Sequence, residues 1–304
     1  MNDYTELGKN LISDGYCHVR QITSSHLVNE MREKADKIAK DWLEGISAEE
    51  RKQHRLRGTI IDVWKHPEMA PLIGLPAAIE ALKLMGFPNP KFYSGYIISK
   101  PPEKAPALFW HQDDFKWNEP INYSAKPTQL FLMYYLIDTN RENGCLRVIP
   151  GSHRHRHRLH NIPLEEAIVA KDGHPALQED KDEVDVPVKA GDLVIGDDRL
   201  LHAAHPNTSK QPRTVLTLWF CPTYDELPEN IQAIYGSHSW QNKYQSEKNS
   251  HLESKPENWG VKEWGLVKPL LAFYPGNVER ASYNRIPDQN LMRPWSQYRH
   301  LSHF

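Results

Sequence analysis

Three cysteines in 304 residues (Cys17, Cys145 and Cys221) are too few, odd in number and too widely spaced for a disulfide framework or a CxxC zinc site. Nowhere does the chain hold a run of about 18 apolar residues, which excludes a spanning helix. Neither sign of charge prevails, since 37 basic side chains stand against 39 acidic ones. Attraction to phosphates or anionic lipid needs a clear excess of Lys and Arg, so neither a nucleic-acid nor a membrane-surface protein is expected. The opening MNDYTELGKNLISDGYCHV lacks the basic stretch and apolar core of a secretory signal. Internal repeats and long low-complexity segments are also missing. These absences fit a reducing, cytoplasmic home for a monomer or homodimer, and none of them names a function.

What is present is enough apolar residue, 39%, for a sizeable core on a polar globular chain. Over residues 1–50, Leu7, Leu11, Leu27, Met31, Ala35, Ile38 and Trp42 recur at three- and four-residue intervals, which predicts amphipathic helices. Ser24 or Ser25 caps the second helix, and GYCHVRQI between the two reads as a short strand. Another helix is expected over 68–86. From about residue 90 short β segments follow one another: KFYSGYIISK, ALFWHQD, QLFLMYYLID, CLRVIPG, VDVPVKAGDLVIGD and RTVLTLWF. The fold class is therefore mainly β with flanking helices, a barrel or two-sheet jelly roll. Residues 223–304 are polar yet rich in aromatics, from Trp240 and Tyr244 to Tyr298. They read as an extension that covers the barrel, closes a mouth or builds an interface.

Chemistry enters at FWHQDDF, residues 109–115. On a strand, side chains two apart share a face, so His111 and Asp113 reach inward together and Asp114 points the other way. A lone HxD is weak evidence, because an inward pair can be a structural hydrogen bond. The second piece is the stretch from Gly191 to Phe220, read as a hairpin with His202 at the end of one strand and Arg213 at the start of the next. Two imidazoles and one carboxylate on one face leave three positions open on octahedral Fe(II), the arrangement for oxygen activation. A 2-oxo acid takes two of those positions and O2 the third. The far carboxylate of that acid needs a fixed cation, and the guanidinium of Arg213 suits that role. His205 competes with His202 as a ligand, and the spacing to Arg213 favours His202. The run HRHRHRLH, residues 153–160, resembles a metal- or nucleic-acid-binding tract, but without flanking cysteines it reads as a solvated strand or loop edge.

Three stretches together resemble the phytanoyl-CoA dioxygenase family of Fe(II)/2-oxoglutarate oxygenases: WHQD at 110–113, ENGCLRVIPGSH at 142–153 and HAAHPNTSKQPR at 202–213. The opening LISDGYCHVRQ and the lead-in IISKPP are similar as well, so the likeness covers roughly residues 5–222. It implies a double-stranded β-helix core in a single domain, 1–304, with Fe(II), 2-oxoglutarate and O2 as cofactor and cosubstrates. His111, Asp113 and His202 match the iron ligands, and Arg213 matches the anchor of the 2-oxoglutarate distal carboxylate. Some relatives use a hydroxyl two residues after the distal histidine, where this chain has Ala204. Halogenating relatives replace the carboxylate ligand, and Asp113 is present. Gly144 and Gly151 are expected to make turns that favour glycine. Ser94, Tyr96 and Gln129, on the strands before the second motif, are candidates for holding cosubstrate or substrate.

The resemblance implies oxidation of a C–H bond in a small polar or anionic metabolite of specialised metabolism, by hydroxylation first, with desaturation or ring closure also open. Two readings from other classes compete: a non-redox metal barrel acting as isomerase or hydrolase, and a catalytically silent binding protein. Arg213 at its spacing speaks against the first, and the intact ligand set against the second.

Overall fold

The computed structural model describes residues 2–50, 58–103, 105–236 and 258–301. The N-terminal periodicity forms two helices. α1 (Tyr4–Asp14) starts at Asp3, whose carboxylate accepts the amides of Thr5 and Glu6, and stops at Gly15 with φ 87°. That left-handed backbone suits a residue without a Cβ. After β1 (Tyr16–Val19), α2 (Ser25–Gly45) is capped by Ser24, whose side chain accepts Leu27 N–H. The helix expected over 68–86 divides into α3 (Ala70–Ile73) and α4 (Pro76–Leu84). Pro76 has no N–H to continue the ladder, so it begins a new helix rather than extending the old one.

The strands are β2 (Ile61–Asp62), β3 (Lys91–Lys100), β4 (Leu108–His111), β5 (Leu130–Tyr135), β6 (Leu146–Val148), β7 (His155–Arg156), β8 (Val184–Val186), β9 (Leu193–Asp197), β10 (His202–Ala204) and β11 (Arg213–Cys221). Six of them form one antiparallel sheet in the order β1-β9-β5-β11-β3-β2, and four form a second, β4-β10-β6-β8. A short helix, α5 (Leu164–Ile168), lies between β7 and β8. After β11 come α6 (Glu229–Tyr235), α7 (Val261–Val267), β12 (Arg293–Pro294) and α8 (Trp295–Leu301).

Strand alternation divides the larger sheet into two packed faces. Leu130, Leu132, Tyr134, Leu216 and Leu218 meet Met31, Ala35, Leu72 and Leu82 of the helices. Phe131, Met133, Val194 and Val215 turn the other way and meet Leu146, Val148 and Val186 of the smaller sheet. Each Leu, Val, Phe or Met side chain so buried contributes about 1.5–3 kcal/mol. Two facing sheets around an apolar interior, with helices on one outer face, make the double-stranded β-helix expected from the sequence. Among the described residues no helix is long and apolar enough to cross a membrane.

Two sequence expectations are corrected here. The hairpin read across 191–220 does not form. β9 and β11 are separated in the large sheet by β5, and His202 begins β10 in the other sheet. The break lies at Asp197–Leu201, where Arg199 grips Asp197 through Nε (2.8 Å) and Nη2 (2.6 Å) and also donates to the carbonyls of Asn122 and Ser124. This buried two-pronged pair turns the chain from one sheet to the other. The 153–160 run is not a solvated edge either. His153, His155, His157 and His160 are all buried while Arg156 and Arg158 are exposed. The alternation of His and Arg sends the less polar ring inward and the permanent charge outward.

Candidate metal centre

β4 and β10 are antiparallel neighbours, and His111 and His202 are direct partners across them. Their rings lie 4.2 Å apart between centroids. Each Nδ1 sits 2.9 Å from the carbonyl two residues earlier, Phe109 for His111 and Leu200 for His202. A carbonyl can only accept, so Nδ1 carries the proton and the Nε2 lone pair is left free. Both Nε2 atoms face Asp113, at 3.6 Å from Oδ1 for His111 and 3.9 Å from Oδ2 for His202. One donor atom from each of the three residues lies within 4.8 Å of the others. Burial, together with the adjacent His202, pushes the pKa of His111 down to about 4, which keeps its lone pair available near neutral pH.

Asp113 lies past the end of β4 rather than within a strand. Its amide and that of Asp114 both donate to the Asp198 carbonyl, at 2.8 and 3.0 Å, and this holds the chain after the ladder stops. Trp219 Nε1 donates to Asp113 Oδ2 at 2.9 Å, so one carboxylate oxygen is oriented by an indole. Asp114 points away from the two histidines. It is fully buried against Lys116, whose ammonium reaches Asp114 Oδ2 (2.8 Å) and Asp198 Oδ2 (3.1 Å), while Asn122 Nδ2 donates to Asp114 Oδ1. The floor behind Asp113 is therefore a dry charged cluster. Burial and the neighbouring Asp114 raise the pKa of Asp198 well above the usual carboxylate range.

The PGSH segment supports the same corner. Ser152 Oγ accepts Leu201 N–H at 2.9 Å, and His153 Nε2 lies 3.1 Å from Ile12 O. Gly151 has φ 79°, and a Cβ there would lie 2.2 Å from the Tyr298 ring. Gly144 has φ 88°. Both glycines thus make the turns expected of them.

Arg213 opens β11, and Val215, Thr217 and Trp219 follow it on the inward face. Its guanidinium is buried, its Nε has no hydrogen-bond partner, and no carboxylate pairs with it among the described residues. Burial lowers its pKa, so an anion brought beside it would be held strongly. Lys100, its partner across β3, is equally buried and donates to His205 O at 2.5 Å. Ser94 and Tyr96 stand on the inward row of β3, paired with Trp219 and Thr217. The Tyr96 ring meets Trp219 edge-on at 5.7 Å. Gln129 accepts the hydroxyl of Tyr235 in α6 at 3.0 Å. His205 is tied to Asp185 at 2.6 Å, away from the His111–Asp113–His202 group. Ala204, buried in β10, offers no hydroxyl.

Sequence reasoning missed Trp219 and Thr217, and the contact of Arg285 with the segment that carries Asp113. Trp219 and Thr217 share the parity of Arg213 on β11, so alternation could have found them, and the Thr217 hydroxyl is buried without a partner. Arg285 carries no motif. It comes from the extension, where Asn284 pairs with the segment after Asp113 through Asn284 N–Phe115 O (2.7 Å) and Trp117 N–Asn284 O (3.1 Å). Arg285 Nη1 donates to Gln112 O at 3.1 Å, and Nε donates to the Tyr283 hydroxyl. Behind β4, on the face that Trp110 and Leu201 share and opposite to the two imidazoles, a cavity of about 250 Å³ is lined by Trp110, Gln112, Leu159, His160, Leu201 and Arg285 among others. Trp240 and Tyr244 lie outside the described residues.

The sequence profile of the phytanoyl-CoA dioxygenase family matches residues 12–215. The chain is 31% identical over 133 residues to phytanoyl-CoA dioxygenase 1 of Oryza sativa subsp. japonica, covering 43% of this chain and 45% of that protein. It is 37% identical over 138 residues to a phytanoyl-CoA dioxygenase domain-containing protein 1 homolog of Dictyostelium discoideum, covering 43% and 44%. The chain thus spans about half the length of the curated relatives it matches. Among solved structures, the non-heme alpha ketoglutarate dependent carbocyclase SnoK from nogalamycin biosynthesis superposes with a TM-score of 0.54 at 23% identity, over 72% of this chain and 84% of that one. EctD from S. alaskensis with bound Fe gives 0.54 at 21% identity, over 72% and 76%. At these identities the likeness is one of fold. Because the profile covers more than half the chain, including the stretch that holds His111, Asp113, His202 and Arg213, the chain belongs to the phytanoyl-CoA dioxygenase family.

Proposed function

We propose that this chain is an Fe(II)/2-oxoglutarate-dependent dioxygenase that oxidises a C–H bond of a small polar or anionic metabolite, with hydroxylation as the outcome. The observation that carries this reading is the convergence of two imidazole Nε2 lone pairs and one carboxylate on a single point, both Nδ1 atoms being occupied by backbone carbonyls. That donor set fits Fe(II) and leaves neighbouring positions open. The buried guanidinium of Arg213, with an unpaired Nε and no carboxylate, fits the distal carboxylate of 2-oxoglutarate. Fe(II) with 2-oxoglutarate and O2 supplies the oxidising power for C–H cleavage.

The chain's own residues do the rest. His111, Asp113 and His202 hold the metal, and Trp219 fixes which Asp113 oxygen faces it. Arg213 sets the cosubstrate along the inward face of β11, with Thr217, Tyr96 and Ser94 on the rows beside it. The apolar interior excludes water from that face. Residues 1–304 act as one oxygenase domain, in which the 223–304 extension supplies part of the cavity wall. The buried, unpaired Arg213 speaks against a non-redox barrel, and the intact donor set of His111, Asp113 and His202 speaks against a silent binding protein. The test is aerobic conversion of 2-oxoglutarate to succinate by the Fe(II)-loaded protein. Succinate should form only with the metal and should be abolished in Asp113→Ala, and succinate independent of Asp113 would contradict the reading.

A further inference from the structure

The three donors of the metal centre are not equally covered. The side chains of His111 and Asp113 are each 16% exposed, and that of His202 is 3% exposed. Strands β5, β6, β9 and β10 are buried along their whole length. Asp62 of β2, Ser94, Tyr96 and Ile98 of β3, Phe109 of β4 and Trp219 of β11 are half-buried instead. Phe109 shares the face of His111, and the two rings meet edge-on at 5.2 Å. The interior therefore opens on the side of β2, β3 and β4, and it does so on the face where the donors converge.

A continuous set of contacts leads from the donors to the edge of the large sheet. Trp219 Nε1 donates to Asp113 Oδ2, and the Tyr96 ring meets the Trp219 ring edge-on. Tyr96 in turn is the cross-strand partner of Asp62. The neighbouring pair, Ile61 and Ile97, turns to the helices, so Asp62 and Tyr96 turn to the interior side. Cβ atoms of partners on one face lie about 4.5–5.5 Å apart. Burial, and after it the charge of Asp62, raises the pKa of the Tyr96 hydroxyl, as such closeness requires. Asp62 accepts Trp64 N–H at 3.0 Å through Oδ1, and no basic side chain pairs with it among the described residues.

Charge is thus segregated along this face. Its two cations, Lys100 and Arg213, are partners at the far end of the β3 and β11 rows, beyond Ile98 and Val215. Its acid stands at the opening, beside the rings of Tyr96 and Trp219. A substrate anion would be repelled there, whereas an ammonium gains from the carboxylate and from the ring faces together. Two strand spacings, roughly 4.8 Å each, separate β2 from β11. A molecule about 10 Å long therefore spans the distance from Asp62 to the face above Trp219.

We propose that the substrate is a small organic amine, bound as its ammonium, with the nitrogen held by Asp62 and the carbon body against Tyr96 and Trp219. This deepens the oxygenase reading and rests on it, and it narrows the polar metabolite to a cation. Asp62 also caps the turn Val63–Lys65 through its bond to Trp64 N–H. Asn caps as well as Asp, so Asp62→Asn removes the charge and keeps the cap.

The experiment uses full-length protein loaded anaerobically with Fe(II) and saturating 2-oxoglutarate. The probes are 3-phenylpropylamine, 3-phenylpropan-1-ol and 3-phenylpropionate, which share a skeleton and differ in charge. Calorimetry gives the affinity of each, and the visible iron–2-oxoglutarate band reports on the cosubstrate. Wild type should bind the amine on the order of tenfold tighter than the alcohol, with the acid weakest. Asp62→Asn should bring the amine to the affinity of the alcohol and leave the 2-oxoglutarate requirement unchanged. Tyr96→Leu should weaken the amine more than the alcohol, because the ring face favours a cation. The proposal is overturned if the wild type binds the amine no better than the alcohol, if it binds none of the three, or if Asp62→Asn keeps the preference. If the wild type shows no band, the iron reading fails, yet the dependence of amine affinity on Asp62 still decides whether the opening is a cation site.

Discussion

Trp219 Nε1 donates to Asp113 Oδ2 at 2.9 Å, and this joins the inward face of β11 to a residue beyond the end of β4. A carboxylate outside the strand ladder needs such a tether, because the ladder no longer orients it and its backbone is held through the Asp198 carbonyl. On the proposed assignment the indole is the outer partner of a metal ligand. Trp219→Phe keeps the ring and removes the donor. Affinity for Fe(II) or Co(II) should fall about 10- to 100-fold, with the thermal midpoint little changed. Metal titration followed by absorbance checks this, and an unchanged affinity would remove Trp219 from the site.

Lys116 carries a different prediction. Its ammonium is fully buried between Asp114 and Asp198. Removing it leaves the two carboxyl groups facing each other without the ammonium between them. Lys116→Met should cost about 3–5 kcal/mol in a denaturant titration. Lys116→Arg, which keeps the charge but not the shape, should recover part of that loss.

Acid should destabilise the metal-free protein through its buried histidines. Burial pushes His153 down to about 4 and His160 to about 3 from an ordinary value of 6.5. Between these limits the unfolded chain binds protons that the folded chain refuses, so stability falls as pH falls from about 6.5 towards 4. Each histidine adds about 1.4 kcal/mol per pH unit inside its window. Urea titrations at pH 7, 6 and 5 should show this slope, and His153→Gln should lower it by roughly one proton. An identical slope in the variant would show that His153 protonates freely in the fold.

Much of this was legible in the sequence for physical reasons. Heptad-like spacing from Leu27 to Trp42 reads as a helix because one face must be apolar, and α2 forms there. The apolar, aromatic-rich run QLFLMYYLID between turn residues reads as a strand, and β5 spans its centre. The two-residue step from His111 to Asp113 survives even though the strand stops between them, because the Asp198 carbonyl takes over from the ladder. The hairpin across 191–220 was misread because both flanks are apolar and nothing local shows that Arg199 and Asp197 form a corner. Buried histidines in a basic tract were misread because exposure was inferred from composition, whereas alternation decides it. The bond from Arg285 to Gln112 was invisible because it joins residues more than 170 positions apart in sequence.

Everything proposed for the site depends on one assignment, that His111, Asp113 and His202 hold Fe(II) beside a 2-oxoglutarate anchored by Arg213. Anaerobic titration of the Fe(II)-loaded protein with 2-oxoglutarate, read by its weak visible charge-transfer band, probes that assignment without needing the substrate when wild type and Arg213→Ala are compared. The wild type should show the band, and the variant should need on the order of 10- to 100-fold more 2-oxoglutarate to reach it. A properly metallated wild type without the band, or a variant with the wild-type requirement, would overturn the assignment.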